Sequence, residues 1–164
     1  MCGILIVIRK NNSSLKEEAP SFHRALSNLR FRGPDYEVET FPHERVYFGQ
    51  TVLSLTGDFN KPNGDYLISK SKRYQLAFNG EIYNYNELYK MMDIEPTTDS
   101  DCEVIIYLYE KYGIEQTLQM LDGVFAFMVF DLRNENNEKI YISRDPYGVR
   151  PMYCFYSQDS LTEL

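Results

Sequence analysis

Val124-Phe125-Ala126-Phe127-Met128-Val129-Phe130 is an unbroken apolar run of strand length, preceded by the turn pair Asp122-Gly123. A strand with one wet face alternates apolar and polar residues; a run without alternation is covered on both faces. Cys2-Gly3-Ile4-Leu5-Ile6-Val7-Ile8 reads the same way and predicts a second strand buried on both sides. Strands of this kind need a layer above and a layer below.

The segments that could supply those layers follow outward from the two runs. Phe22, Ala25, Leu26 and Leu29 recur at i, i+3, i+4 and i+7 after Pro20, which marks one face of a helix ended by Gly33-Pro34. A second helix is expected from Asn84 to Met92. A third has Ser100 and Glu103 as a capping box and Val104, Ile105, Leu108, Tyr109 and Tyr112 as its apolar face, up to Gly113. A short amphipathic piece, Ile114–Leu121, follows. Strand-like segments fall at Tyr36–Phe41, Val46–Leu55, Tyr66–Ser69, Tyr74–Asn79, Glu81–Tyr83, Lys139–Ser143 and Met152–Tyr156, with Asn79-Gly80 expected as a hairpin turn. Many strands and two or three amphipathic helices predict an α+β sandwich, sheets packed on each other and covered by helices.

Composition narrows the function. The 164 residues carry 17 Lys and Arg against 24 Asp and Glu, a formal charge of −7. That length fits one domain, placed at 2–164, since domains usually hold about 100–150 residues. An acidic surface argues against nucleic acid and anionic membranes as partners. No apolar run nears the roughly 20 residues that span a bilayer, and Ile4–Ile8 is too short for a signal segment, so a cytoplasmic location is expected. Cys2, Cys102 and Cys154 form no CxxC pair, which speaks against a disulfide framework and a structural zinc site. No HExxH spacing occurs either; no metal is expected.

Cys2 is the informative cysteine because of its position. Removal of Met1 would place a thiol and a free α-amine on one residue. An α-amine titrates at about 7.7–8.0 and a free thiol near 8.5, so the amine can take the thiol proton near neutral pH. No histidine is then required. Attack by sulfur on an amide builds an oxyanion, and one preorganised donor to it is worth about 3–4 kcal/mol. Asn79 offers a side-chain amide and Gly80 an unobstructed backbone N–H. Asp101, in the first turn of the third helix, suits a substrate ammonium group. Each feature alone has a plain structural reading: a small core residue, a tight turn, a helix-dipole carboxylate.

In order along the chain, these pieces resemble the class II glutamine amidotransferases, in particular the glutaminase half of glutamine-hydrolysing asparagine synthetases. The matching segments are Met1-Cys2-Gly3-Ile4, Arg32-Gly33-Pro34-Asp35, Phe78-Asn79-Gly80-Glu81-Ile82-Tyr83-Asn84, Ser100-Asp101-Cys102-Glu103-Val104-Ile105, Leu121 through Phe127, and Ser143 through Pro151. The resemblance implies a four-layer αββα sandwich of the N-terminal-nucleophile hydrolase type. It implies Cys2 as nucleophile and its amine as base, and a γ-glutamyl thioester hydrolysed by water. Asn79 and the Gly80 backbone would form the oxyanion hole. Asn79, Gly80, Glu81 and Asp101 would line the glutamine site, with Asp101 on the α-amino group. Arg32 and Asp35 are expected to organise the pocket wall rather than to react. The implied partners are glutamine and a synthetase domain or subunit that accepts the ammonia, with a homodimer left open. No cofactor is implied; ATP belongs to the synthetase domain.

Two departures from the family pattern qualify this. Where the family places an arginine for the glutamine α-carboxylate, the register that keeps the spacing puts Val52, in Val52-Leu53-Ser54-Leu55-Thr56. Loss of a bidentate charged contact corresponds to roughly 2–4 kcal/mol, about 30- to 1000-fold in affinity; backbone groups of Val52–Thr56 remain available to the ligand. The synthetase's Ser-Gly-Gly-x-Asp-Ser phosphate loop is also missing from this sequence. The expected function is therefore ammonia release from glutamine, probed against two alternatives. One is a catalytically weak domain for glutamine sensing or protein contact; the other is an amide hydrolase for a substrate without the carboxylate.

Overall fold

The computed structural model describes residues 2–9, 14–53, 73–134 and 138–155. The expected strand Tyr66–Ser69, the part of Val46–Leu55 beyond Leu53, and Tyr156 lie outside them. The described elements run β1 (Gly3–Ile8), α1 (Ala19–Ser27), β2 (Tyr36–His43), β3 (Val46–Val52), β4 (Tyr74–Ile82), α2 (Tyr85–Met92), α3 (Val104–Met120), β5 (Gly123–Asp131) and β6 (Lys139–Arg144). This is an α+β chain with two antiparallel three-stranded sheets, ordered β1-β3-β2 and β4-β5-β6.

Strand alternation sorts the side chains into layers. In β5, Phe125, Phe127 and Val129 point one way, into a core shared with Leu76 and Phe78 of β4, Leu88 and Met92 of α2, and Ile105 and Leu108 of α3. Met128 and Phe130 point the other way and meet Val46 and Phe48 of β3, with Ile4 and Ile6 of β1 packed against them. One apolar core thus lies between the sheets and a second between the β4-β5-β6 sheet and two helices. The apolar run in β5 is buried because each of its faces closes one core. On the outer face of the first sheet, α1 lays Phe22 on Tyr47, ring centroids 4.7 Å apart, and its Leu26 is fully buried.

Four expectations are corrected. β1 is only partly covered, with most of its residues half-buried and Ile8 46% exposed. Asn79-Gly80 is not a hairpin: β4 runs straight through it, Asn79 opposite Ala126 and Gly80 opposite Phe125. Gly80 is required by close approach instead, since a Cβ there would lie 2.1 Å from the Val124 carbonyl oxygen. The capping box does not form. Ser100 makes no side-chain cap, and Glu103 turns to Thr97 and Thr98. Residues 151–155 form no strand. Gly113 does interrupt the third helical stretch, with φ 79° and ψ 172°, a left-handed φ that favours glycine.

Candidate active site

Cys2 stands just before β1, where the two sheets meet. Its backbone N–H donates to Asn79 Oδ1 at 3.0 Å, and its Sγ lies 3.9 Å from the Leu53 carbonyl oxygen. The carbonyl of Cys2 accepts from Arg32 Nε at 3.3 Å. Next along, Gly3 N–H donates to Thr51 Oγ1 at 3.2 Å, and that hydroxyl donates to the Leu29 carbonyl at 3.0 Å. The residue is thus fixed by β3, β4 and the turn after α1 at once.

Asn79 and Gly80 are placed by the geometry of β4. Asn79 shares a face with Ala77, whose side chain packs between the sheets, and it is 6% exposed. With Oδ1 taken by Cys2, Nδ2 is the end of this amide that can donate. Phe125, opposite Gly80, spends its carbonyl on Asp145 N–H at 2.8 Å and its N–H on Asp145 Oδ2 at 3.3 Å. Directly opposed antiparallel residues exchange both bonds or neither. Gly80 N–H therefore points to the free edge of β4, away from β5. On that same edge, Phe78 O accepts from Gln50 Nε2 at 2.9 Å and Ile82 N–H donates to Asp101 Oδ2 at 2.6 Å.

Asp101 opens a single 3-10 turn, Asp101–Glu103, laid against the edge of β4. Burial pushes its carboxyl above the usual carboxylate range. The N–H groups of Ile82, Asp101 and Cys102 pull the other way, and Glu81 adds to the rise. Cys102 beside it is fully enclosed; burial pushes its thiol up to about 12, and its Sγ meets Ser100 Oγ at 3.0 Å. Glu81 is the next residue on the Asn79 face and lies 3.8 Å from Arg150, whose side chain is 15% exposed. Arg150 is delivered by a knot around Asp145. That carboxylate accepts from the N–H groups of Tyr147 (3.1 Å), Val149 (3.0 Å) and Arg150 (3.1 Å) besides Phe125.

Val52 ends β3, opposite Tyr36, and its carbonyl accepts from Asp35 N–H at 3.0 Å. Leu53 follows it beside the Cys2 sulfur. Ser54, Leu55 and Thr56 lie outside the described residues. Cys2, Leu53, Asn79, Arg32 and Thr51 are thus one cluster, with Gly80 and Asp101 along the adjoining edge of β4 and Glu81 on the Asn79 face. Sequence reading passed over three neighbours: Thr51, the orienting bond from Gln50, and Arg150 against Glu81. Strand alternation from Val52 would have pointed to Gln50 alone. Elsewhere among the described residues, His23, Glu37 and Glu39 bring ligand atoms within 4.8 Å of one another. There Arg30 already holds Glu37, and Tyr47 OH donates to Glu39 at 2.9 Å. No described helix is long and apolar enough to cross a membrane.

A family profile described as a glutamine amidotransferase domain matches residues 1–162, and the chain belongs to that family. Among individual proteins, it is 37% identical over 161 residues to the glutamine-hydrolysing asparagine synthetase of Zea mays, covering 97% of this chain and 26% of that enzyme. It is 33% identical over 160 residues to the probable asparagine synthetase of Acanthamoeba polyphaga mimivirus, 96% of this chain and 28% of that protein. A shorter stretch of 84 residues is 46% identical to the human asparagine synthetase, 51% of this chain and 14% of the human protein. The chain thus spans little more than a quarter of the relatives it matches end to end.

Proposed function

We propose that this domain releases ammonia from glutamine through a thioester on Cys2, for use by an asparagine-forming synthetase domain or subunit. The observation that carries the reading is the Cys2 N–H held on Asn79 Oδ1 at 3.0 Å, beside a Gly80 N–H on the open edge of β4. Once Met1 is removed, that nitrogen is the amine that takes the thiol proton. The sulfur attacks the glutamine carboxamide carbon, and the C–O π pair moves onto oxygen. Asn79 Nδ2 and Gly80 N–H stabilise the oxyanion, the amine returns a proton to the leaving nitrogen, and ammonia departs. Water then attacks the thioester, giving glutamate and the free thiol. Asp101 and Glu81 accept from the α-ammonium group.

The frame we propose is the four-layer αββα sandwich of the N-terminal-nucleophile hydrolases. The core between the sheets and the helices on both outer faces support it. No cofactor is assigned to the chemistry of this domain, and a cytoplasmic setting goes with the proposed partner. The second reading, a weak or sensing domain, is favoured by one observation: Val52, at the end of β3, offers only aliphatic atoms where the family places the carboxylate-binding arginine. Among the described residues, the Leu53 backbone and the Arg32 and Arg150 guanidinium groups lie in this cluster or beside Glu81 and are candidates to meet that end of glutamine.

Side-by-side glutaminase rates decide between the two. The unmodified protein should release ammonia and Cys2→Ala should not, and Val52→Arg should lower KM by about 30-fold or more. Turnover that appears only in Val52→Arg would favour the sensing reading; release that survives Cys2→Ala would remove both.

A further inference from the structure

Glu103 is a hub that the proposed chemistry does not use. One carboxylate receives six donors: Thr97 N–H at 3.0 Å, the Thr97 hydroxyl, Thr98 N–H at 2.8 Å, the Thr98 hydroxyl at 2.9 Å, Tyr107 OH at 3.4 Å and Tyr89 OH at 3.5 Å. Four of these come from two residues of a connection without regular structure, between α2 and the Asp101–Glu103 turn. The other two come from Tyr89 in α2 and Tyr107 in α3, so the carboxylate is anchored to both helices of the outer core.

The consequence falls on Asp101. Thr98 Oγ1 donates to Glu103 and accepts from Ser100 N–H at 3.2 Å, and Ser100 Oγ meets Cys102 Sγ at 3.0 Å. Both residues flanking Asp101 are therefore tied into the Glu103 ring, while the Asp101 carboxylate accepts from its own turn's N–H groups, Asp101 and Cys102, and from Ile82 N–H of β4 at 2.6 Å. Fixing a loop residue costs about 1–2 kcal/mol in conformational entropy, so a connection of this length needs such anchors to hold one conformation. A capping carboxylate would have turned back to Ser100 N–H; this one reaches three residues further and closes the loop instead.

We infer that Glu103 is the positioning residue for glutamine recognition: it sets the loop that presents Asp101 to the substrate ammonium group. This rests on the glutamine site proposed above and adds a residue that does not itself touch substrate. Glu103→Gln keeps the shape but turns an NH2 group toward the donors of Thr97 and Thr98. Glutamine affinity should fall about 10- to 100-fold, the scale of losing hydrogen bonds to a charged acceptor.

The test is calorimetric titration of glutamine into the full chain carrying Cys2→Ala, where no turnover intervenes. It is repeated with Glu103→Gln, with Asp101→Asn and with both. The expected result is weaker binding in each single variant and a double variant no weaker than Asp101→Asn alone, because Glu103 acts through Asp101. In the chain with Cys2 intact, Glu103→Gln should raise KM and leave kcat within a few-fold. Unchanged affinity in a folded Glu103→Gln protein, or additive losses in the double variant, would overturn the inference. Should Glu103→Gln fail to fold, Thr98→Val breaks the Thr98–Ser100 link at constant volume and should weaken binding several-fold; full affinity there overturns it equally. A chain with no glutamine affinity before any change at Glu103 overturns the glutaminase reading itself, a separate outcome.

Discussion

Asp101, the residue proposed to meet the glutamine ammonium group, is held at a cost to the fold. Burial raises its carboxyl above the ordinary range despite three backbone N–H groups. The folded state therefore keeps this proton to a higher pH than the unfolded chain does. The stability linked to that proton is complete below the unfolded pKa, about 3.9, and is lost as pH rises through the higher folded value. At neutral pH the ionised side chain thus weakens the fold. Asp101→Asn should raise the Tm at pH 7, with the gain shrinking toward about pH 3, while glutamine affinity falls. In the unmodified protein, KM for glutamine should begin to climb on acidification at a pH above an ordinary aspartate's titration. A Tm at pH 7 lowered by Asp101→Asn would contradict this account.

Among the elements, the connection after β6 is organised by a single side chain. Asp145 is 1% exposed; burial pushes its carboxyl up, but the N–H groups of Val149, Arg150, Phe125 and Tyr147 outweigh this and hold it below the usual range. That contribution to stability is present above the ordinary carboxylate pKa and is lost as pH falls through the lower folded value. Asp145→Ala should cost about 2–4 kcal/mol at neutral pH, because it orphans one buried and three part-buried donors. A urea midpoint in a two-state transition reads this directly, and a change under about 0.5 kcal/mol would contradict it. Glutaminase activity should fall with it, since Asp145 also engages the N–H and carbonyl of Phe125 that leave Gly80 facing the open edge.

Element-level reading of the sequence succeeded where periodicity spoke and failed where two physical causes share one sequence sign. The α1 face at Phe22 and Leu26 and the Gly113 break were legible, because 3.6-residue spacing and a positive φ each leave a local mark, whereas Ala25 is exposed and the helix stops at Ser27, before Leu29. Asn79-Gly80 was misread because Asn-Gly marks hairpins, whereas here Gly80 is set by a carbonyl on the neighbouring strand, a contact 44 positions away in the chain. Ser100 and Glu103 have capping-box spacing, yet Glu103 found more donors in Thr97, Thr98 and two tyrosines. Those partners come from three different segments, which no local pattern encodes. Of the site, the Asn79–Cys2 proximity became visible only through the whole motif set, since 77 residues separate them.

At the scale of the molecule, two sheets close on an apolar core, and the site lies where that closure brings the lead of β1 to the outer edge of β4. The Cys2 nitrogen comes from the lead of β1 in one sheet and the Asn79 amide and Gly80 N–H from β4 in the other, so only the packed sheets join them. The central claim is that a processed Cys2 carries the glutamyl group. Acid quench of the protein during turnover with glutamine, followed by intact and peptide mass spectrometry, tests it most directly. Loss of Met1 and a mass increase of one glutamyl group on the Cys2 peptide, absent in Cys2→Ala, are the expected result. Full glutaminase activity in protein that retains Met1, or turnover with no adduct on Cys2 under conditions that preserve thioesters, would contradict it.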